Sequence, residues 1–106
     1  MKLFIVRETK GINAVAEYDP ANKRFVVLKG SIVSDTISAA PTFRGAKAIR
    51  ILREKCVVDR VVKEDVCFKS SSTAGNFVTG NSTDGPSTWK GKNGKTLKVI
   101  ISETKE

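Results

Sequence analysis

A run of lysines near the end of the chain is the feature that most directly suggests chemistry. Residues 86–102 contain Lys90, Lys92, Lys95 and Lys98 and no acidic residue. Uncompensated ammonium groups attract anions, and lysines that contact phosphates give nucleic-acid binding that weakens as salt is added. The same run is compatible with a surface that is merely solvated, so both interpretations stay open at this stage.

Polar and aromatic residues within and beside this lysine run allow two roles each. Trp89, the single tryptophan, is a candidate platform on which a base stacks. The alternative, which we favour, is a core residue that holds the lysine segment against a short helix through Phe77. Asn81 and Ser82 are candidate nucleic-acid contacts, although turn and helix-capping chemistry explains these residues and Asp84 equally simply.

A second basic group lies on a predicted amphipathic helix at residues 44–55. Its apolar stripe comprises Ala48, Ile49, Leu52 and Cys56, at helical spacing. Its predicted outer face carries basic residues at every third position, namely Arg44, Lys47, Arg50 and Arg53. We include Lys47 and Arg50 among the candidate nucleic-acid contacts, with a solvated surface as the alternative.

Several classes of catalytic site are excluded by composition. The chain has no histidine, which removes Ser-His and Cys-His nucleophile pairs, and its 2 cysteines cannot supply a four-ligand zinc site. Gly91 and Gly94 are too closely spaced for a phosphate-binding loop. Glu64 and Asp65 are sequence neighbours and should point apart. We therefore expect a protein that is not an enzyme and has no metal or cofactor.

Length and charge favour one small domain spanning residues 1–106. The formal net charge is +8, which favours anionic partners. No apolar run approaches the roughly 20 residues that cross a bilayer, and Leu3–Val6 is too short for a signal-peptide core. We expect a cytoplasmic protein with no membrane partner. Cys56 and Cys67 are expected to be buried thiols rather than a disulfide.

The pattern of apolar residues predicts an α+β fold. Residues 3–6, 12–18 and 24–29 read as strands of an N-terminal antiparallel hairpin or meander, and a loop or weak strand follows at residues 34–42. The predicted order after the amphipathic helix is a turn at 59–60, a strand around 66–68, a short helix between Ser70 and Gly80, a turn at 81–87, and a β-hairpin formed by strands 88–90 and 96–101 around Asn93-Gly94.

One segment resembles a known family. Residues 68–90, followed by 94–97, carry an aromatic residue, a Ser-rich helix start, Phe-Val-x-Gly, an Asp-Gly loop, Trp-Lys and Gly-Lys-Thr-Leu. This resembles a bacterial domain family of unknown function that is typically found at the C-terminus of GIY-YIG nuclease and restriction-associated proteins. The resemblance covers most of residues 11–100. A more distant similarity links it to the restriction-enzyme adenine-methylase-associated domain, which is proposed to read modified DNA.

These observations lead to three hypotheses. The first, implied jointly by the charge and by the resemblance, is a non-catalytic nucleic-acid-binding accessory module with a nuclease or methylase subunit as partner. The second is a protein-interaction or structural module of a defence complex. The third, with the weakest support, is a small metal-dependent nuclease whose acids come together only in the fold.

Overall fold

The sheet forms from short β-prone segments rich in apolar residues, and alternate side chains along them point to one buried face. The computed structural model describes residues 1–40, 43 and 45–104. The strands are β1 (Lys2–Arg7), β2 (Ile12–Asp19), β3 (Arg24–Val27), β4 (Val57–Val58), β5 (Val61–Val62) and β6 (Val66–Phe68). A four-stranded antiparallel sheet has the order β1-β2-β3-β6, and β4 and β5 form a separate small hairpin. The predicted N-terminal meander is confirmed.

Four α-helices accompany these strands within the described residues. They are α1 (Ala46–Cys56), α2 (Ser71–Thr79), α3 (Gly85–Thr88) and α4 (Leu97–Thr104). The α+β class is confirmed. The predicted loop at 34–42 has no regular structure through residue 40, whereas Pro41, Thr42 and Arg44 lie outside the described residues. No helix in the described ranges has the length and apolar character needed to cross a membrane.

Alternation along β1 and β2 decides which face of the sheet is covered. Leu3, Ile5 and Ile12 point to the buried face, where α2 contacts β2, β3 and β6. We call the opposite side the outer face. Phe4 is half-buried there and Val6 is 56% exposed, so this side of the sheet remains open to solvent near β1.

The prediction of a C-terminal β-hairpin is wrong, except for a single β-bridge. Lys90 pairs with Thr96 in one isolated antiparallel bridge, and the predicted returning strand is helix α4 from Leu97 onward. The apolar residues of this segment fit both a strand and a helix, because Leu97, Ile100 and Ile101 are also at helical spacing. The Thr96 hydroxyl accepts a hydrogen bond from the Val99 amide at 3.4 Å, which favours a helix start.

The predicted basic face of α1 also requires a correction, because Arg53 is buried. Its side chain is 9% exposed, and it shares the buried stripe of α1 with Ile49 and Cys56, whereas Ala48 is exposed. The stripe thus runs i, i+4, i+7 from Ile49, and Arg53 occupies the middle position.

The Arg53 guanidinium binds the C-terminal end of α2. Nε and Nη2 donate to the Phe77 carbonyl at 2.9 and 2.7 Å, and Nη1 donates to the Ser34 carbonyl at 2.9 Å. Nη2 also donates to the Ser34 hydroxyl and to the Val78 carbonyl. A cation at this position satisfies the last carbonyls of the helix and complements its dipole. Arg53 therefore links α1, the segment around Ser34 and α2.

No described carboxylate forms an ion pair with Arg53, whose hydrogen bonds go to backbone carbonyls and to the Ser34 hydroxyl. Burial, and then the positive charge of Arg60, lowers the pKa of Arg53 to about 10. The guanidinium is still charged at neutral pH. Its folded-state pKa lies below its ordinary value, so this shift lowers the stability of the fold at neutral pH, and that cost is relieved only as the pH rises above about 10.

The loop after α2 is fixed to that helix by a dense set of short-range contacts. The Asn76 side-chain oxygen accepts from the Thr83 amide at 2.7 Å, and the Ser72 hydroxyl accepts from the Gly85 amide at 2.9 Å. Gly85 is buried against the start of α2: a Cβ added to it would lie 2.3 Å from the Ser71 carbonyl carbon and from the Ser72 nitrogen. The predicted capping of α2 by Ser70 and Gly80 is confirmed.

Replacement of Arg53 by methionine tests the link between α1 and α2. Arg53→Met keeps an apolar stem but leaves buried carbonyls without a donor, which should lower the free energy of unfolding by about 3 kcal/mol. Urea denaturation followed by circular dichroism measures this change. The matched control is Arg50→Met on the exposed side of α1, which should shift stability by no more than about 0.5 kcal/mol. Equal effects of the two substitutions would contradict the assignment.

Replacement of Gly85 by alanine tests the packing of the loop on α2. Gly85→Ala forces a methyl group into backbone atoms that cannot move independently, so we expect a loss of about 1–3 kcal/mol. Gly45→Ala is the control, because the nearest described atom to its Cβ would be Cε1 of Phe43, at 3.8 Å. Thermal unfolding of both variants should separate them. If the two variants unfold at the same temperature, the close approach of Gly85 to the start of α2 does not constrain the fold.

Candidate nucleic-acid interface

The edge of β1 holds the backbone of Lys90. The Phe4 amide donates to the Lys90 carbonyl at 2.7 Å, and the Lys90 amide donates to the Phe4 carbonyl at 3.0 Å. Residues directly opposite in an antiparallel pair place their side chains on the same face. The Lys90 side chain therefore lies beside the ring of Phe4, on the outer face of the sheet.

Phe4 and Lys90 belong to an open cavity of about 400 Å³, which we call the basic groove. Its lining residues are Phe4, Val6, Lys90, Gly91, Lys92 and Gly94. None of them is acidic, and neither lysine forms an ion pair with any residue that the structure describes. The groove thus combines an apolar floor with two uncompensated ammonium groups.

The turn that carries Lys92 is closed by its own backbone. The Gly91 amide donates to the Lys95 carbonyl at 2.9 Å, and the Gly94 amide donates to the Gly91 carbonyl at 3.0 Å. Gly94 has φ of +81°, which a side chain would strain. These bonds fix the position of the Lys92 backbone beside β1. Lys90 and Lys92 both line the groove.

The other two lysines of the run lie outside the groove. Lys95 Nζ is 2.7 Å from a carboxylate oxygen of Glu103, in an ion pair exposed to solvent. Such a pair is worth only about 0–1 kcal/mol, but it partly offsets the charge of Lys95. Lys98 is exposed on α4. The sequence predicted four lysines on one hairpin, and the structure brings two of them together.

The remaining polar candidates are exposed at separate places. Asn81 lines a different depression, together with Lys10 and Arg60, and Ser82 is exposed in the adjoining loop. Lys47 and Arg50 are exposed on α1.

Arg50 lies in a third depression that contains carboxylates. Its lining residues include Asp35, Glu54 and Asp59, which offset the local positive charge. The basic groove is therefore the better anion site of the two.

Trp89 is not a stacking platform, because its side chain is 0% exposed. Its indole nitrogen donates to the Ser71 carbonyl at 3.0 Å, and its ring lies 5.0 Å from that of Phe25. The core role is confirmed, with Phe25 as the ring partner rather than Phe77, whose ring pairs with Phe68 at 5.2 Å.

The aromatic residue that the sequence reasoning missed is Phe4. Alternation in β1 carried a signal for it, since Leu3 and Ile5 take the buried face and leave Phe4 on the other. Phe4 lies next to Lys90 because of a backbone contact between residues 86 positions apart in the chain. No local sequence pattern reveals such a contact.

Cysteine and acidic side chains do not form a metal-binding cluster among the described residues. Burial, then a hydrogen bond from Sγ to Glu64 at 3.4 Å, raises the pKa of the Cys56 thiol and disfavours its nucleophilic thiolate form. Cys67 is exposed, which corrects the expectation that both thiols are buried. Asp65 accepts from the Lys29 amide at 2.8 Å, so Glu64 and Asp65 do point apart. No three metal-ligating side chains converge within the described ranges.

Comparison with known proteins places the chain in a family. No curated protein and no solved structure matches it. A family model described as a domain of unknown function, DUF4357, matches residues 4–101. The matched range includes the whole basic groove, from Phe4 to Gly94. The chain therefore belongs to the family of domains of unknown function DUF4357.

Proposed function

We propose that this domain is a non-catalytic module that binds nucleic acid through the basic groove. The observation that carries the proposal is the pair Lys90 and Lys92, which flank an open cavity without a carboxylate on it. Ammonium groups that lack a protein partner keep their full attraction for phosphate oxygens. The apolar floor adds a surface on which sugars or bases pack.

The overall charge supports the same partner. A net charge of +8 in 106 residues raises the association rate with polyanions. The described ion pairs involve Glu17 and Glu103, and neither of these lines the groove. Positive potential is thus left uncompensated at the place where a cavity exists to receive a ligand.

The resemblance to domains at the C-terminus of GIY-YIG nuclease and restriction-associated proteins suggests how such binding would be used. A small module that holds DNA without cutting it raises the local concentration of substrate for a nuclease or methylase partner. We therefore propose an accessory role in which chemistry resides in the partner and affinity resides in this domain.

Salt-dependent binding tests the proposal. We expect fluorescence anisotropy of labelled 20-nucleotide single-stranded and duplex DNA to show binding at 50 mM salt that weakens strongly at 200 mM. The variant Lys90→Gln/Lys92→Gln should bind about tenfold more weakly at 50 mM. Loss of two phosphate contacts should also reduce the slope of log K against log salt by about 1.4–1.8.

The control carries the same charge change at exposed lysines outside the groove, as Lys47→Gln/Lys98→Gln. It should retain affinity within about threefold, because only long-range attraction is reduced. Absence of any anisotropy change with wild-type protein at tens of micromolar would overturn the proposal. Equal losses in the two double variants would show general charge attraction in place of a defined groove.

A further inference from the structure

We infer that the basic groove receives an unpaired nucleobase stacked on the ring of Phe4, so that the domain prefers single strands to duplex. This inference rests on the proposed function and deepens it. It assigns a class of ligand to the groove: a flexible nucleic-acid strand with at least one base turned toward the protein.

The floor of the groove supplies an aromatic surface. Phe4 is half-buried, so its ring is held by its neighbours yet remains part of the cavity lining. Opposite it on β2 lies Val15, also half-buried, while Val6 on β1 is 56% exposed. A ring that is fixed in this way loses little side-chain entropy when a base stacks on it. Each stacked base contributes about 1–3 kcal/mol in proteins that bind single strands.

The wall of the groove lets a flat ligand approach the backbone. Gly91 and Gly94 have no side chains, and a Cβ added to Gly94 would meet no described atom within 4 Å. The space beside Gly94 is therefore open, whereas Gly91 packs against the side chain of Ile100. The cavity of about 400 Å³ falls within the usual range of about 300–1,000 Å³ for small-ligand sites, which is enough for a nucleotide.

The two lysines stand where the flanking phosphates of such a base would lie. Lys90 is bonded through its backbone to Phe4 itself, and Lys92 follows on the same side of the groove. Proteins that bind single strands generally combine cations that contact the phosphate backbone with aromatic rings on which bases stack. In a duplex the base faces are already covered by neighbouring pairs, and exposing one costs a few kcal/mol.

An acidic peptide is the competing occupant, and it fits less well. It would use both ammonium groups but would leave the ring of Phe4 without a specific role. The combination of an aromatic ring, glycine walls and lysines favours a nucleotide strand, in which planar and anionic groups alternate along one chain.

Substitution of Phe4 separates stacking from charge attraction. Phe4→Leu keeps an apolar side chain on the outer face but removes the π surface. Wild-type protein should bind oligothymidylate of 20 nucleotides more tightly than a 20-base-pair duplex. Phe4→Leu should lose about 5- to 100-fold of the single-strand affinity and leave duplex affinity within about twofold. Val58→Ala, at an exposed apolar residue outside the groove, is the control and should retain both affinities within about twofold.

Phe4→Trp provides a readout that does not depend on loss of function. The native Trp89 is buried, so a tryptophan at position 4 adds an emission signal from the groove. Oligothymidylate should quench that added emission, whereas wild-type emission should change little. Urea midpoints of the Phe4 variants confirm that folding is intact before affinities are compared.

The outcomes distinguish this inference from the proposed function. Salt-dependent DNA binding that is insensitive to Phe4→Leu, without quenching in Phe4→Trp, would overturn stacking and leave nucleic-acid binding in place. Absence of DNA binding would overturn both. Displacement of oligothymidylate by polyglutamate at equal charge concentration would show an acidic peptide site and overturn the inference.

Discussion

The fold depends on a buried arginine that binds the end of a helix. The Arg53 guanidinium occupies the middle of the buried stripe of α1 and donates to carbonyls of Phe77, Val78 and Ser34. A buried cation without a carboxylate partner is tolerated only when its donors are satisfied, and the last carbonyls of α2 supply suitable acceptors in a negative dipole field. The position of α2 relative to α1 is therefore specified by directional bonds in addition to apolar packing.

The position of α2 in turn determines the geometry of the basic groove. At the other end of this helix the Ser71 carbonyl accepts the indole N–H of Trp89. The next residue, Lys90, pairs through both backbone groups with Phe4 on the edge of β1. Hydrogen bonds and the covalent chain thus connect the core arginine through α2 and Trp89 to the groove. Its lysine and its aromatic ring are positioned by rigid elements, which limits the entropy lost on binding.

Local patterns in the sequence predicted the features that local chemistry determines. Apolar, β-prone runs identified β1 and β3, alternation identified β2, and Ser70 and Gly80 marked the limits of α2 correctly. Features set by tertiary contacts escaped prediction. The apolar residues in 97–101 fit both a strand and a helix, so only packing decides between the two. Arg53 fitted both the exposed three-residue repeat of basic residues and the buried stripe of α1. The pairing of Phe4 with Lys90 joins distant positions and therefore has no sequence signal.

Part of the most recognisable motif of the chain is structural, for a physical reason. Gly75, Gly85 and Asn76 are restricted because Thr83, the backbone of α2 and the following loop approach closely there. These residues hold the loop against α2, whereas Lys90 and Gly94 of the same motif line the basic groove. Ligand-binding groups must instead be unsatisfied in the free protein. Lys90 and Lys92 meet that condition beside an accessible ring, whereas Trp89 and Arg53, the residues most suggestive by type, have their donors satisfied in the core.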